Sequence, residues 1–170
     1  AVQIAELNYL DTIELAYSGA QIIHPKTIKP LQNKNIPLYV RPFGDKRKPG
    51  TVIRRMSAPI EVPILILKKD QVLLTIRSRD FSFVLEEKFA AIFSLLERHR
   101  IKVNLVHNSA VNLSLCVDNS WHIDEAIQAL RNEEFDVMKV ENMELLTIRG
   151  YNGDLMERYA SGPEVFLLQR

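Results

Sequence analysis

Residues 101–117, IKVNLVHNSAVNLSLCV, decide the fold of this chain. Apolar side chains alternate with polar or small ones on either side of Asn108 and Ser109, two residue types that favour turns. The alternating positions are Ile101, Val103, Leu105, Val111, Leu113, Leu115 and Val117. Because successive side chains of a strand point to opposite faces, this spacing predicts a β-hairpin with one face covered by helices.

Helices predicted on both sides of the hairpin would supply that cover. An apolar stripe at helical spacing precedes the hairpin and ends near His99 and Arg100, and residues 121–135 predict a second helix after it. The first stripe consists of Leu85, Phe89, Ile92, Phe93 and Leu96, and the second of Ile123, Ala126, Ile127 and Leu130.

Further strands complete the unit. Residues 64–67 and 72–76 predict two strands joined by a hairpin or connection at 68–71, and residues 137–140 predict a last strand. The resulting order is strand, helix, strand, strand, helix, strand, which is the ferredoxin-like α+β arrangement. Right-handed crossovers then place both helices on one face of a four-stranded antiparallel sheet.

A short repeat extends the pattern. The sequence Leu-Leu-Thr-Ile-Arg occurs at 73–77 and again at 145–149. A repeat with the period of one module is typical of tandem modules. We therefore expect an incomplete second copy from Met143 onward, with a short helix at 154–160 and a strand at 164–168.

The N-terminal segment, residues 1–57, has a different pattern. Asp11 and Glu14 have the spacing of a capping box and predict a helix over 11–18, which Gly19 ends. A second helix is expected to begin at His24 and Pro25 and to be disturbed near Pro30. Residues 36–40 predict a strand, and the basic, turn-rich stretch 43–50 favours a solvated loop over a phosphate-binding patch.

Composition excludes several classes of protein. The 170 residues carry 22 basic and 21 acidic side chains, a formal net charge of +1, which removes the electrostatic basis for a nucleic-acid partner. Cys116 is the single cysteine, so no internal disulfide can form. Since no apolar run approaches the length of a membrane span and no leader pattern is visible, we expect no membrane partner and a cytoplasmic location.

Few residues are candidates for a catalytic or metal site. The four histidines lack metal-ligand spacing, Cys116 lies in an alternating strand, and no glycine-rich phosphate loop is present, so we expect neither a metal site nor a catalytic residue. The strands at 72–76 and 111–117 contain no aromatic residue, which argues against RNA stacking. Small-ligand binding stays open at the strand-to-helix turns, where polar residues otherwise satisfy their own backbone.

Two stretches resemble aspartate kinases. Residues 10–30, which include the pattern G-A-x-x-I-H-P-x-T-I-x-P from Gly19 to Pro30, are similar to the end of that family's catalytic domain, as are Ile36-Pro37 and residues 49–53. Residues 63–141 are similar to the family's first ACT module, most clearly at 98–114. The resemblance implies three segments: the end of the kinase domain at 1–57, a first ACT domain at 58–142 and an incomplete second ACT domain at 143–170.

The resemblance also implies a function. The parent enzyme would phosphorylate the β-carboxylate of aspartate with ATP and Mg²⁺, the first step toward lysine, threonine and methionine. The family's nucleotide-binding K-F-G-G-T segment is absent from these residues, so we expect no catalysis and no cofactor here. ACT modules of the family pair their sheets in a homodimer and bind a feedback amino acid, lysine or threonine.

Matching positions give the expected effector site. They are Ser78, Arg79, Asp80, Phe81, Val103, Asn104, Asn108 and Ser109. Asn104 stands where many members have Asp, and Glu87-Lys88-Phe89 stands in place of the family's G-F-L. These departures support an alternative, a structural oligomerisation module without effector binding.

Overall fold

The computed structural model describes residues 3–45, 47–56, 60, 62–80, 86–150, 153–160 and 164–169. Its strands and helices are, in chain order, β1 (Glu6–Asn8), α1 (Tyr9–Tyr17), α2 (Pro25–Asn33), β2 (Leu38–Val40), β3 (Thr51–Arg54), β4 (Ile64–Ser78), α3 (Glu86–Arg98), β5 (Val103–Asn108), β6 (Asn112–Asp118), α4 (Ile123–Asn132), β7 (Phe135–Arg149) and α5 (Gly153–Ala160). They form two compact units. Unit 1 comprises residues 1–67 and 146–167, and unit 2 comprises residues 68–145 and 168–170.

Unit 2 has the expected ferredoxin-like topology. Its four-stranded sheet has the order β5-β6-β4-β7, and β6 pairs antiparallel with both β4 and β5. The β4–β6 register aligns Gln71 with Asp118 and Arg77 with Asn112. Alternate β4 residues, Val72, Leu74 and Ile76, are fully buried under α3 and α4. The predicted α+β fold, with both helices on one face, is therefore confirmed.

Helix α4 is shorter than the prediction of 121–135. It begins at Ile123 and ends at Asn132, and Phe135 already belongs to β7. Glu134 adopts a left-handed backbone with φ of 64°, which ends the helix.

Unit 1 contains a three-stranded sheet of order β1-β3-β2, in which β1 is parallel and β2 antiparallel to β3. Leu7, Leu15, Ile28 and Ile53 are buried in its core. The stretch 43–50, whose residue 46 is outside the described part, connects β2 to β3 as the predicted loop.

Both N-terminal helices differ from their predictions in detail. Asn8, not Asp11, caps α1: its Oδ1 accepts the Asp11 backbone N–H at 2.7 Å, while its Nδ2 donates to Asp11 at 2.6 Å. The capping pair thus lies one turn earlier. Pro30 does not end α2, which continues to Asn33, although the proline has no N–H to donate to the carbonyl four residues earlier.

Strands β4 and β7 are longer than expected. The predicted hairpin or connection at 68–71 is wrong, since β4 runs through it for 15 residues, and β7 likewise joins the strands expected at 137–140 and from Met143. Asp70 and Asn142 take left-handed φ values of 57° and 59°, each three residues before a Leu-Leu-Thr-Ile-Arg sequence. One such residue bends a strand without ending it.

The C-terminal expectations have mixed outcomes. Helix α5 confirms the predicted helix at 154–160, whereas residues 164–168 form no strand. Arg149, the last residue of β7, donates to Glu14 at 2.7 Å and to Asp11 at 3.0 Å, within unit 1. None of the helices in the described ranges is long and apolar enough to cross a membrane.

Truncating the core of unit 2 tests this packing. We expect Leu74→Ala to lower the free energy of unfolding of unit 2 by about 2–5 kcal/mol, because a fully buried leucine leaves a cavity. The measurement is hydrogen exchange of the β4 and β6 amides. Leu67→Ala, a control at an exposed position of β4 with 48% of its surface accessible, should change that exchange little. Equal losses in both variants would contradict the assigned register.

Candidate functional site

Four polar side chains meet where β6 ends and β5 begins. We call Lys68, Gln71, Asn104 and Asp118 the Asp118 cluster. One carboxylate oxygen, Oδ1 of Asp118, accepts from Lys68 Nζ at 2.5 Å, Asn104 Nδ2 at 2.7 Å and Gln71 Nε2 at 3.1 Å. Asn104 Nδ2 also donates to Gln71 Oε1 at 2.7 Å, and Asn104 Oδ1 accepts from Lys68 Nζ at 2.9 Å. The cluster is a closed network around one ion pair.

Strand register and one irregularity bring these side chains together. Gln71 and Asp118 face each other across the β4–β6 pair. Along the β5–β6 pair, Val103 lies opposite Val117 and Leu105 lies opposite Cys116, so that Asn104 is an extra residue. A bulge of this kind redirects a side chain. Val103 packs against the buried core, and the amide of Asn104 reaches Gln71 and Asp118.

The cluster keeps Asp118 ionised. Burial by itself disfavours the carboxylate, but hydrogen bonds from Lys68, Asn104 and Gln71, with the Coulombic attraction of Lys68, outweigh it and hold the pKa of Asp118 below its ordinary value. Cys116 lies beside the cluster, with Sγ 3.6 Å from Gln71 Oε1. Burial raises the pKa of the Cys116 thiol, which makes it a poor nucleophile at neutral pH.

A second group of polar side chains lies at the C-terminal end of β4. Ser78 is buried and donates from Oγ to Asp80, while Lys88, on α3, donates to Ser78 Oγ at 2.7 Å and lies 3.5 Å from Asp80. Lys88 thus brings an ammonium group to the helix entry. Arg79 points elsewhere: it contacts Asp136 at 3.4 Å and the carbonyl of Arg131 at 3.1 Å. Phe81 lies outside the described residues.

Ser109 makes its hydrogen bonds within the hairpin turn itself. The Ser109 Oγ accepts from the Asn112 N–H at 3.1 Å and donates to the Asn112 carbonyl at 3.2 Å, and the Ser109 N–H donates to the same carbonyl at 2.9 Å. Asn108 is exposed beside it. These bonds favour the view that polar turn residues satisfy their own backbone.

Seven of the eight predicted site residues lie in the described part of the chain, and they fall into two groups. One group lies at the end of the sheet where Gln71 pairs with Asp118, and it consists of Val103 and Asn104. The other group lies at the end where Arg77 pairs with Asn112, and it consists of Ser78, Arg79, Asp80, Asn108 and Ser109. Ser78 lies seven residue steps after Gln71 along β4, about 23 Å at the rise of an extended strand. One module does not bring the two groups into one pocket.

Three members of the Asp118 cluster, Lys68, Gln71 and Asp118, were not predicted as site residues. Lys68 and Gln71 lie in the stretch predicted as a connection, and Asp118 follows the last apolar residue of β6 without any motif. The available signal was the alternation itself, since polar Gln71 and Asp118 both continue the strand face opposite the core. Within the described ranges, no three histidine, cysteine or carboxylate side chains are arranged to hold a metal ion.

No family profile matches this chain. Lysine-sensitive aspartokinase 3 of Escherichia coli is 30% identical over 98% of the chain, and chloroplastic aspartokinase 3 of Arabidopsis thaliana is 35% identical over 71% of it. The chain spans only 38% and 22% of the lengths of these relatives. The crystal structure of E. coli aspartokinase III in complex with lysine and aspartate (T-state) is 29% identical, with a TM-score of 0.68 over 86% of this chain and 34% of that one.

Fold and similarity together define a module of the ACT-like, ferredoxin-like class. The chain belongs to the aspartokinase family, as the sequence resemblance indicated.

Removing the charge of Asp118 tests the cluster. We expect Asp118→Asn to destabilise unit 2 at pH 7, because it leaves the Lys68 ammonium without its counter-charge. A carboxyl whose folded pKa is depressed stabilises the fold fully above its unfolded pKa, about 3.9, and loses that contribution as the pH falls further. The difference between wild type and variant should therefore shrink below about pH 4.

Urea unfolding at a series of pH values measures this difference. The control is Asp45→Asn, whose carboxylate pairs with a highly exposed arginine, Arg47, in a surface loop. That variant should match wild type throughout. A stability difference for Asp118→Asn that does not change with pH would contradict the ionic role of Asp118.

Proposed function

We propose that this chain is an amino-acid-sensing regulatory region of an aspartate kinase and that it binds a feedback amino acid, lysine or threonine. The observation that carries the proposal is the Asp118 cluster, which joins an amide and a carboxylate at the start of β5 in an ACT-like module. The lysine complex of the E. coli enzyme, a structural neighbour, supports lysine as the first effector to test.

The whole protein's activity is part of the same proposal. We place the ATP-dependent phosphorylation of the aspartate β-carboxylate, and the ATP and Mg²⁺ that it requires, in the parent enzyme rather than on these residues. The parent would act in a reducing compartment, the cytoplasm, which suits the single buried, unpaired thiol of Cys116.

The separation of the two polar groups supports a paired arrangement. Two groups about 23 Å apart on one sheet contribute to a single pocket only if two modules meet, so that one supplies Asn104 and the other Ser78 and Asp80. We infer that modules of two copies of the chain meet in a homodimer and that the effector binds at their interface.

The regulatory mechanism is differential binding. An effector shifts the enzyme between two states only if it binds one arrangement of the paired modules more tightly than the other. A coupling free energy of about 1–3 kcal/mol is typical of such regulation.

A second candidate is a structural oligomerisation module without an effector. This alternative is favoured because the polar side chains already have hydrogen-bond partners within the module. Asn104 bonds to Lys68, Gln71 and Asp118, and Ser109 bonds within its own hairpin. Under this alternative the dimer forms but no amino acid changes its stability.

Thermal unfolding with millimolar lysine, threonine, methionine or aspartate separates the two candidates. A ligand that prefers the native state raises the melting temperature, so we expect a selective increase with lysine or threonine. Sedimentation of the same samples should show a dimer. A dimer that no amino acid stabilises would favour the structural module, and a monomer with no ligand response would contradict both.

Substitution of Asn104 locates the effector site. We expect Asn104→Ala to weaken effector binding by about tenfold or more, because a lost hydrogen bond to a charged group is worth about 1.5–3 kcal/mol. Calorimetric titration measures the dissociation constant. Asn132→Ala, on the exposed face of α4, is the matched control and should bind as wild type does. An unchanged constant in Asn104→Ala would place the pocket elsewhere.

A further inference from the structure

The ammonium group of Lys68 occupies a small oxygen-lined cage. Nζ lies 2.5 Å from Asp118 Oδ1 and 2.9 Å from Asn104 Oδ1, so it meets one carboxylate and one amide oxygen. The side chain of Lys68 is only 20% exposed, which shows that its alkyl stem is covered along most of its length. An –NH₃⁺ group has three N–H donors for these acceptor oxygens, whereas a quaternary ammonium has none.

Hydrogen bonds that do not involve Lys68 hold the other side chains of the cage in place. Asn104 Nδ2 donates to both Asp118 Oδ1 and Gln71 Oε1, at 2.7 Å each. Gln71 is 2% exposed, and its Nε2 is anchored by the carbonyls of Lys69 and Asp70 at 3.0 and 3.1 Å. Removal of the Lys68 ammonium would therefore leave a preformed acceptor with one unbalanced negative charge.

The charge balance of the cage admits one cation. Asp118 carries one negative charge and Lys68 one positive charge, and the cluster's other two members are neutral amides. A second ammonium meets no unpaired carboxylate in the cage while Lys68 remains there, so an incoming amine has to displace Lys68.

We propose that Asp118 and Asn104 form a binding site for a linear primary ammonium, that Lys68 fills this site from within the same module, and that an effector's amine competes with it. The site itself follows from the geometry of unit 2. The naming of free lysine as the competing amine rests on the proposed effector function.

Chemical rescue tests the site. Lys68→Ala removes three methylene groups and the ammonium, which together correspond to n-propylammonium. We expect Lys68→Ala to melt at a lower temperature than wild type, and millimolar n-propylammonium to raise that temperature by about 3 °C. Tetramethylammonium at the same concentration should have no effect, because it is too bulky and has no N–H to donate. If Lys68→Ala is unfolded in buffer, amine-dependent refolding is the same readout.

Three control variants define the outcome. Lys69→Ala removes a neighbouring exposed lysine and should show neither the loss nor the rescue. Lys68→Met fills the stem's space without the charge and should not respond to the amine. The double variant with Asp118→Asn should not respond either, because the carboxylate is gone. Absence of a propylammonium effect on Lys68→Ala, or an equal effect of tetramethylammonium, would overturn the proposal.

Free lysine tests the competition. Since a site that its own side chain fills binds with reduced apparent affinity, Lys68→Ala should bind lysine at least about tenfold more tightly than wild type. Rescue by propylammonium without any lysine binding would support the cage and count against the effector function. Lysine binding of equal strength in wild type and Lys68→Ala, without rescue by propylammonium, would support the effector function and overturn the cage.

Discussion

The antiparallel pairing of β4 with β6 is the interaction on which unit 2 depends. Its register places Val72, Leu74 and Ile76 under the two helices and, at the end of the same pair, sets Gln71 opposite Asp118. A slip by one residue would turn the apolar side chains to the opposite face and separate the polar ones, because side chains alternate along a strand. Core packing therefore also determines the geometry of the polar cluster.

The Asp118 cluster has a chemical character that stability does not require. A partly buried ion pair gains little over a well-packed apolar pair, since removing both charges from water opposes their attraction. Here the side-chain amides of Asn104 and Gln71 complete the hydrogen bonding of the pair. Gln71 is nearly inaccessible to solvent, and its Oε1 accepts a hydrogen bond from Asn104. A cage of this construction is suited to recognise one ammonium group, whether it comes from Lys68 or from a ligand.

The two long strands share a structural signature. Asp70 in β4 and Asn142 in β7 have left-handed backbones at the same distance before the same five-residue sequence. Asn and Asp tolerate this conformation better than other non-glycine residues, which accounts for their occurrence at both bends. One left-handed residue therefore precedes both copies of the five-residue sequence at the same spacing.

The sequence by itself determined the class of fold, the buried face of α4, the hairpin at 101–117 and the family, because alternation and helical spacing are local and the His24-Pro25 motif is distinctive. The face predicted for α3 is correct only in part, since Phe93 is exposed and Leu95 is buried. Only the tertiary structure decided the continuity of β4 and β7 and the position of the cap at Asn8. It also decided the polar site, since Lys68, Asn104 and Asp118 come from three strands and meet through a bulge at Asn104. Periodicity describes which face a residue occupies; it carries no information about which distant residue shares that face at hydrogen-bond distance.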